Sequence, residues 1–179
     1  MSGRRHNDTV LIYHDIRLKE ADGEINFKLF SKLMIYKNLL VEILRGPHWL
    51  TDQIIAFYFQ YLESEVYRDY TRVFLFVSPQ ITQLIKMIDG RSEDAKLLLE
   101  PLHPSAKKYL FFPVNDSEHH DKEGGTHWSL LVYSRPENTF YNFDSVHNRN
   151  NYATTKIIEV LRAVLNCQSA FSISYPSTQ

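Results

Sequence analysis

Residues 126–144 read THWSLLVYSRPENTFYNFD. Two short runs rich in apolar, aromatic and β-branched side chains, His127–Tyr133 and Thr139–Asp144, flank the segment Ser134–Asn138, which contains a proline and an asparagine. This pattern is typical of two antiparallel strands that are joined by a turn. The sequence therefore predicts a β-hairpin over these residues.

The hairpin register brings an imidazole next to a carboxylate. If Arg135 and Pro136 are the two residues at the tip, His127 faces Asp144 directly, and opposed Cβ atoms lie about 4.5–5.5 Å apart. A carboxylate beside an imidazole orients the ring and stabilises its charged form, as in a catalytic triad. A purely structural His–Asp hydrogen bond explains the same pair equally well, and a different turn type would shift the register.

The remaining sequence predicts helices and short strands in mixed order. Ser78 is a suitable N-cap and Pro79 fits the first helical position, which marks one helix start. Helices are predicted at Thr51–Glu63, Ser78–Asp89, Ser92–Glu100 and Asn151–Asn166, and further strands at Arg72–Val77, Tyr109–Val114 and Ala170–Tyr175. The predicted buried stripe of the first helix is Ile54, Ile55, Tyr58, Tyr61 and Leu62. We expect an α+β fold with helices packed on a central, partly antiparallel sheet.

Length and composition indicate one globular domain over residues 1–179. The chain is 44% hydrophobic and 23% charged, and its net charge of −1 disfavours a general nucleic-acid binder. No apolar run is long enough to span a membrane. A single cysteine, Cys167, excludes an intrachain disulfide and fits the cytoplasm or the nucleus. Residues 22–42 are predicted to form an ordinary core or surface helix, or alternatively a helix that binds a partner or a membrane surface.

The other candidates for chemistry are weak. Cys167 falls at the C-terminal end of a predicted helix, where the helix dipole disfavours a thiolate, so we expect a buried structural thiol. His119, His120 and Asp121 lie in a polar loop without the spacing of a metal site. No phosphate-binding glycine loop is present either. The sequence predicts neither a metal nor a cofactor.

Several motifs, taken together and in this order, resemble those of one family. They are HWLTDQII at 48–55, GGTHWSLL at 124–131 and FDS at 143–145. The resemblance is to the ubiquitin-like-protein proteases, also called the sentrin-specific protease family. VSPQITQ at 77–83 and LEPL at 99–102 are most similar to its deneddylase branch, which acts on the neddylation modifier, a close relative of ubiquitin. The similarity covers roughly residues 9–17 and 43–179.

This resemblance implies a papain-like cysteine peptidase fold with a triad in the order His, Asp, Cys. His127 would be the general base and Asp144 its orienting carboxylate. Trp49 and Trp128 would form the walls of a narrow tunnel for the Gly-Gly tail of the modifier, and Asp52 would pair with an arginine of that tail. The implied partners are the neddylation modifier, or SUMO as the alternative, and its conjugates.

The chain departs from the family pattern at three places. Thr51 replaces the usual asparagine, residues 23–41 look inserted, and the nucleophile is missing. In the family the cysteine lies in an Asp-Cys-Gly motif, which would come a few residues after Gln179. Gln179 is the candidate for the glutamine of the oxyanion hole that precedes this motif. We therefore expect residues 1–179 to form an incomplete peptidase domain, inactive by itself.

Three hypotheses remain open from the sequence. The chain is part of a deneddylating cysteine peptidase, or it is a non-catalytic relative that binds a ubiquitin-like modifier without cleaving it, or it is a broken product that does not fold well.

Overall fold

The computed structural model describes residues 45–46, 49–88, 93–119, 124–147, 149–165, 167 and 172–176. The chain comprises two compact units, Met1–Ile54 and Ile55–Gln179. Helix α1, Asp52–Tyr61, begins in the first unit and continues into the second. The helix predicted over residues 22–42 and the candidate Gln179 lie outside the described residues, and the single domain over residues 1–179 stays a prediction.

The second unit contains a mixed five-stranded sheet. Its strands, in both chain and spatial order, are β1 (Phe74–Phe76), β2 (Tyr109–Asn115), β3 (Trp128–Ser134), β4 (Thr139–Phe143) and β5 (Ser172–Ser174). The inner pairs β2–β3 and β3–β4 are antiparallel, whereas β1–β2 and β4–β5 are parallel. The predicted strands and the α+β class are confirmed, with strand ends that agree to within two residues.

The hairpin between β3 and β4 has a longer turn than the predicted two residues. Ser134 pairs with Thr139, so that the turn comprises the four residues Arg135–Asn138. Asn138 has a φ of 48°, a left-handed conformation that asparagine tolerates better than most residues. Its N–H donates to the carbonyl oxygen of Arg135 at 3.2 Å. The predicted register is therefore wrong by two residues, which leaves every side chain on its predicted face.

The described part of the second unit contains three further α-helices: α2 (Pro79–Met87), α3 (Glu93–Leu99) and α4 (Asn151–Val164). The N-cap of α2 is confirmed, because the Ser78 hydroxyl accepts the N–H of Ile81 at 3.3 Å and Pro79 is the first helical residue. Short helical turns lie at Leu62–Val66, Arg68–Tyr70, Glu100–Leu102 and Pro104–Ala106.

The buried stripe predicted for α1 is mostly wrong. Tyr58 and Tyr61 are exposed and stack on each other with ring centroids 6.3 Å apart, and of the predicted stripe only Ile54 is buried. Another side of the helix makes the contact with the sheet, where the ring of Phe59 lies 5.3 Å from that of Phe76. Tyrosine suits such a surface position because its hydroxyl stays in water while its ring covers apolar surface.

The core lies between one face of the sheet and helices α2, α3 and α4. Ile157 and Leu161 on α4, and Leu165 directly after it, are buried, as the helical spacing of these apolar residues requires. The strands contribute alternate residues to the same core, among them Leu110, Phe112, Leu131, Tyr133 and Phe140. This packing fixes the ends of β2, β3 and β4 relative to the start of α4.

Leu161→Ala should destabilise the chain by about 2–5 kcal/mol, because it leaves a cavity in a fully buried part of the core. Leu97→Ala is the matched control. The Leu97 side chain is 67% exposed, so its truncation should change the free energy of unfolding by less than about 0.5 kcal/mol. Urea unfolding followed by circular dichroism measures both values, and equal losses would contradict the assignment of the core.

Candidate active site

The sheet brings His127 and Asp144 together at one edge. His127 directly precedes β3, Asp144 directly follows β4, and His127 Nε2 lies 2.5 Å from Asp144 Oδ1. With the observed register the two residues are diagonal neighbours rather than directly opposed, a separation that an aromatic ring such as imidazole can bridge. The predicted hydrogen bond is therefore present, although the predicted direct pairing is not. Both side chains are largely buried, with 10% and 5% exposure.

Asp144 is held in its ionised form. Burial by itself would raise the pKa of its carboxyl, but hydrogen bonds from the Asn150 N–H, the His127 ring and the Val146 N–H outweigh burial and lower the pKa below the ordinary value. An ionised carboxylate only accepts hydrogen bonds, so the proton of the pair lies on His127 Nε2. Within the described part of the chain, no residue hydrogen-bonds to His127 Nδ1, the ring nitrogen that would accept a proton in a general base.

A second carboxylate, Asp116, holds the backbone at His127. Its Oδ1 accepts the N–H of Thr126 at 2.6 Å and the N–H of His127 at 3.0 Å, and its Oδ2 accepts the Thr126 hydroxyl at 2.9 Å. Burial raises the pKa of Asp116, but these three hydrogen bonds and the nearby Arg149 lower it overall. Asp116 is not among the site residues predicted from the sequence, because a lone aspartate after a strand gives no local signal of contact with residues ten and eleven positions away.

Asn150, the residue before α4, is a second site residue that the sequence does not predict. It is almost completely buried, and its Nδ2 donates to the carbonyl oxygen of Val114 at 3.0 Å and to the Ser129 hydroxyl at 2.9 Å. These bonds fasten the start of α4 to both β2 and β3. The backbone N–H of Asn150 meanwhile donates to Asp144 Oδ2 at 2.9 Å. One residue thus joins the helix, two strands and the carboxylate of the pair.

The backbone at position 125, just before this strand end, requires a glycine. Its φ is +86°, and a Cβ at this position would lie 1.9 Å from Asn115 Oδ1. Any other residue would therefore be strained and would also collide with Asn115. The glycine allows the chain to approach β2 closely just before His127.

The predicted substrate-binding residues are distributed over both units. Trp128 is the first residue of β3, is partly buried and, because strand side chains alternate, points to the sheet face opposite to that of His127. In the first unit Trp49 is 73% exposed, and Asp52 opens α1 with its Oδ1 accepting the N–H of Gln53 at 2.9 Å. The tryptophan tunnel, the arginine contact of Asp52 and the oxyanion role of Gln179 stay predictions.

Cys167 lies at the wrong end of α4 to serve His127. Cys167 follows the C-terminus of the helix and packs against the core, where it contacts Tyr133. Burial of Tyr133, and to a smaller extent the hydrogen bond between its hydroxyl and the Cys167 thiol, raise the pKa of Tyr133 to about 12. The His127–Asp144 pair lies at the other end of the helix, and 14 residues of α-helix span about 21 Å at 1.5 Å each. The predicted buried position is wrong, because Cys167 is only partly buried, and its structural role stays a prediction.

Among the described residues, no three His, Cys, Asp or Glu side chains lie together as a metal site requires, and His119 is exposed. His120 and Asp121 lie outside the described residues. No helix in the described part of the chain is both long and apolar enough to cross a membrane.

Comparison with known proteins identifies the family. Residues 48–170 match the Ulp1 protease family, C-terminal catalytic domain. The chain is 39% identical over 125 residues to sentrin-specific protease 8 of Rattus norvegicus, which covers 70% of this chain and 57% of that protein. It is 30% identical over 162 residues to NEDD8-specific protease 1 of Arabidopsis thaliana, covering 90% of this chain and 62% of the relative.

The solved structures show the same fold. A structure of the SUMO protease Ulp1 with its catalytic cysteine oxidized to a sulfenic acid superposes with a TM-score of 0.56 at 16% identity, over 74% of this chain and 57% of that one. This chain belongs to the Ulp1 protease family. The predicted family and the predicted peptidase fold are thereby confirmed, and the names of the two relatives agree with the deneddylase branch that the motifs indicate. The chain spans little more than half the length of the first of these curated relatives.

Asp144→Asn should lower stability at neutral pH by about 1–3 kcal/mol, because three hydrogen bonds to a buried carboxylate are weakened. The lowered pKa of Asp144 stabilises the folded state fully above its unfolded-state pKa of about 3.9, and this contribution disappears as pH falls through the folded-state pKa. The variant should consequently show a flatter loss of stability on acidification than the wild type.

Urea unfolding at a series of pH values between neutral and strongly acidic measures this difference. Asp69→Asn, which removes an exposed carboxylate from a short turn, controls for the loss of one negative charge. Parallel pH profiles for the wild type and Asp144→Asn would contradict the assignment.

Proposed function

We propose that the protein represented by this chain is a cysteine peptidase that removes a ubiquitin-like modifier from its conjugates or processes the precursor of the modifier. The observation that carries the proposal is the His127–Asp144 pair, in which Nε2 is bound to an ionised carboxylate and no described residue hydrogen-bonds to Nδ1. This is the arrangement that a general base needs, since the ring has one fixed orientation and one basic nitrogen. Membership of the Ulp1 protease family supports the same chemistry.

The proposed reaction assigns a role to each member of the pair. His127 Nδ1 takes the proton of a cysteine thiol, and the thiolate attacks the carbonyl carbon at the end of the modifier. The imidazolium then donates this proton to the leaving amine, while Asp144 stabilises the positive ring. A water molecule, deprotonated by the same imidazole, hydrolyses the thioester and regenerates the thiol.

The nucleophile is the part of this reaction that Met1–Gln179 does not supply. Cys167 is the only cysteine of the sequence, and it lies at the far end of α4 from His127. The proposal therefore assigns the thiol to a part of the protein outside these residues. The chain alone provides the base and its orienting carboxylate.

The neddylation modifier is the proposed substrate, with SUMO as the alternative. Relatives named NEDD8-specific protease and sentrin-specific protease 8 support the first, and a solved Ulp1 domain in complex with Smt3, the yeast ortholog of SUMO, supports the second. Trp49, Trp128 and Asp52 are the proposed contacts of the modifier tail. A cytoplasmic or nuclear location agrees with the single cysteine, which excludes disulfide bonds within the chain.

A second candidate function follows from the position of Cys167. A base without a thiol nearby is also what a non-catalytic relative would retain if it bound a modifier and did not cleave it. A modifier whose C-terminus carries an electrophile distinguishes the two functions when it is added to the natural full-length protein. A covalent adduct that disappears with His127→Ala supports the peptidase, whereas tight binding without an adduct supports the binding protein.

The polypeptide Met1–Gln179 should not hydrolyse a modifier with a C-terminal fluorogenic amide, because a base and its orienting group cannot form the thioester. Fluorescence release should stay at the rate of the buffer alone. Cys167→Ala should leave this result unchanged, and turnover that is lost in Cys167→Ala would make Cys167 the nucleophile after all.

A modifier with an intact Gly-Gly tail should change the tryptophan fluorescence of the chain, and a modifier without the tail should not. Trp49 and Trp128 are the only tryptophans, so each single variant leaves one reporter. Trp49→Ala and Trp128→Ala should each weaken binding by about 2–4 kcal/mol, the range of an interface hot spot. Equal fluorescence changes with both modifiers would contradict the tunnel while leaving the His127–Asp144 pair untouched.

A further inference from the structure

We propose that Asp116 is a positioning residue for His127, which it holds through the backbone while Asp144 holds the ring. The inference rests on the proposed function, because it assigns a purpose to the fixed orientation of His127. The geometry that supports it involves only described residues of the second unit.

The backbone of His127 lies where the regular sheet pairing ends. Trp128, the first residue of β3, pairs with Asn115, the last residue of β2, and this pair ends the ladder between the two strands. One position further, the Asp116 N–H donates to the His127 carbonyl oxygen at 3.3 Å, a long hydrogen bond. The His127 N–H donates to the Asp116 side chain instead of to a strand carbonyl. The strand end that carries the imidazole is thus secured mainly by one carboxylate.

The Asp116 carboxylate is well suited to this task. It accepts two backbone N–H groups and one hydroxyl, and hydrogen bonds to an ionised acceptor are roughly twice as strong as neutral ones. Arg149 extends the network, because its Nη2 donates to the Thr126 hydroxyl at 2.5 Å and its Nε lies 3.5 Å from Asp116 Oδ2. Arg149 directly precedes Asn150, whose N–H binds Asp144. The start of α4 therefore contacts both carboxylates.

The chain segment that carries Asp116 is hydrogen-bonded to helix α2. The residues on either side of it, Asn115 and Ser117, each accept a hydrogen bond at 2.6 Å from the buried Lys86 ammonium of α2. Gln83, one turn earlier on α2, donates to the Ser117 carbonyl oxygen at 3.0 Å. This double attachment ties the loop that carries Asp116 to a helix of the core. Movement of Asp116 is thereby restricted, and so is movement of the backbone that it binds.

A catalytic imidazole has to be held within about 0.5 Å and 10–20° of its productive position. If Asp116 is removed, two N–H groups at the strand end lose their acceptor and the backbone of His127 gains freedom. The His127–Asp144 hydrogen bond should then break more often, although Asp144 is unchanged. This effect distinguishes a positioning residue from a residue that only stabilises the fold.

Nuclear magnetic resonance of the chain labelled with ¹⁵N-histidine tests the proposal without a nucleophile or a modifier. The ring signals of His127 are assigned by their absence in His127→Gln. In the wild type we expect an Nε2-protonated ring and a slowly exchanging, downfield Nε2 proton. In Asp116→Ala this proton should exchange at least about tenfold faster, a factor that corresponds to the net loss of one hydrogen bond. The two ring nitrogen shifts should also move towards each other as the tautomers mix.

Two further variants separate positioning from charge. Asp116→Asn keeps an oxygen acceptor for the N–H groups and should give a smaller increase in exchange than Asp116→Ala. Glu118 is an exposed residue of the same loop, two positions after Asp116. Glu118→Gln removes one negative charge there and should leave the His127 ring signals as they are in the wild type.

Wild-type ring signals and exchange in Asp116→Ala would overturn the proposal, and so would a change of the same size in Glu118→Gln. Amide protection of Leu131 and Ile157 in the core reports whether each variant is folded. If Asp116→Ala does not fold, Asp116→Asn decides: faster Nε2 exchange with an intact core supports positioning, and unchanged exchange refutes it. Because no substrate is present, failure of this test leaves the peptidase proposal standing, and failure of the peptidase proposal does not alter the ring signals.

Discussion

The antiparallel pairing of β3 with β2 on one side and β4 on the other is the interaction on which the candidate site depends. The ladder hydrogen bonds bring the ends of three chain segments, and with them Asp116, His127 and Asp144, to the same edge of the sheet. Side chains alternate along a strand, so the imidazole and its carboxylate share the helix-covered face while Trp128 lies on the other. A slip of one residue would place His127 and Asp144 on opposite faces, whereas the slip of two that the turn introduces does not.

Helix α4 couples the apolar core to this polar edge. Its inner face, with Ile157 and Leu161, closes the core over the sheet, and its start provides the N–H of Asn150 to Asp144. Burying a carboxylate is unfavourable unless hydrogen bonds replace its water, and three of them do so at Asp144. The positive end of the helix dipole favours the same charge. The packing that stabilises the fold thus also determines the protonation state of the pair.

The length of α4 also separates the pair from the only thiol of the sequence. A helix is a stiff spacer, and Cys167 lies only three residues past its C-terminus, so this thiol cannot reach a site about 21 Å away at the start of the helix while α4 stays folded. Cys167 instead fills a partly buried position beside Tyr133. The base and its orienting carboxylate are consequently assembled by the sheet and α4 independently of any nucleophile, which is why the pair is complete in a chain that has no thiol beside it.

Short patterns in the sequence are enough to predict the strands and helices, the Ser78 cap, the family, and the shared face of His127 and Asp144. Strand alternation and helical spacing act over a few residues, so they can be read without the fold. The tertiary structure decided the register, because Asn138 adopts a left-handed conformation, and it exposed Tyr58 and Tyr61, because α1 meets the sheet through Phe59. It alone revealed Asp116 and Asn150. Their partners lie up to 36 residues away, and only the packed sheet and helix bring such distant polar groups within hydrogen-bonding distance.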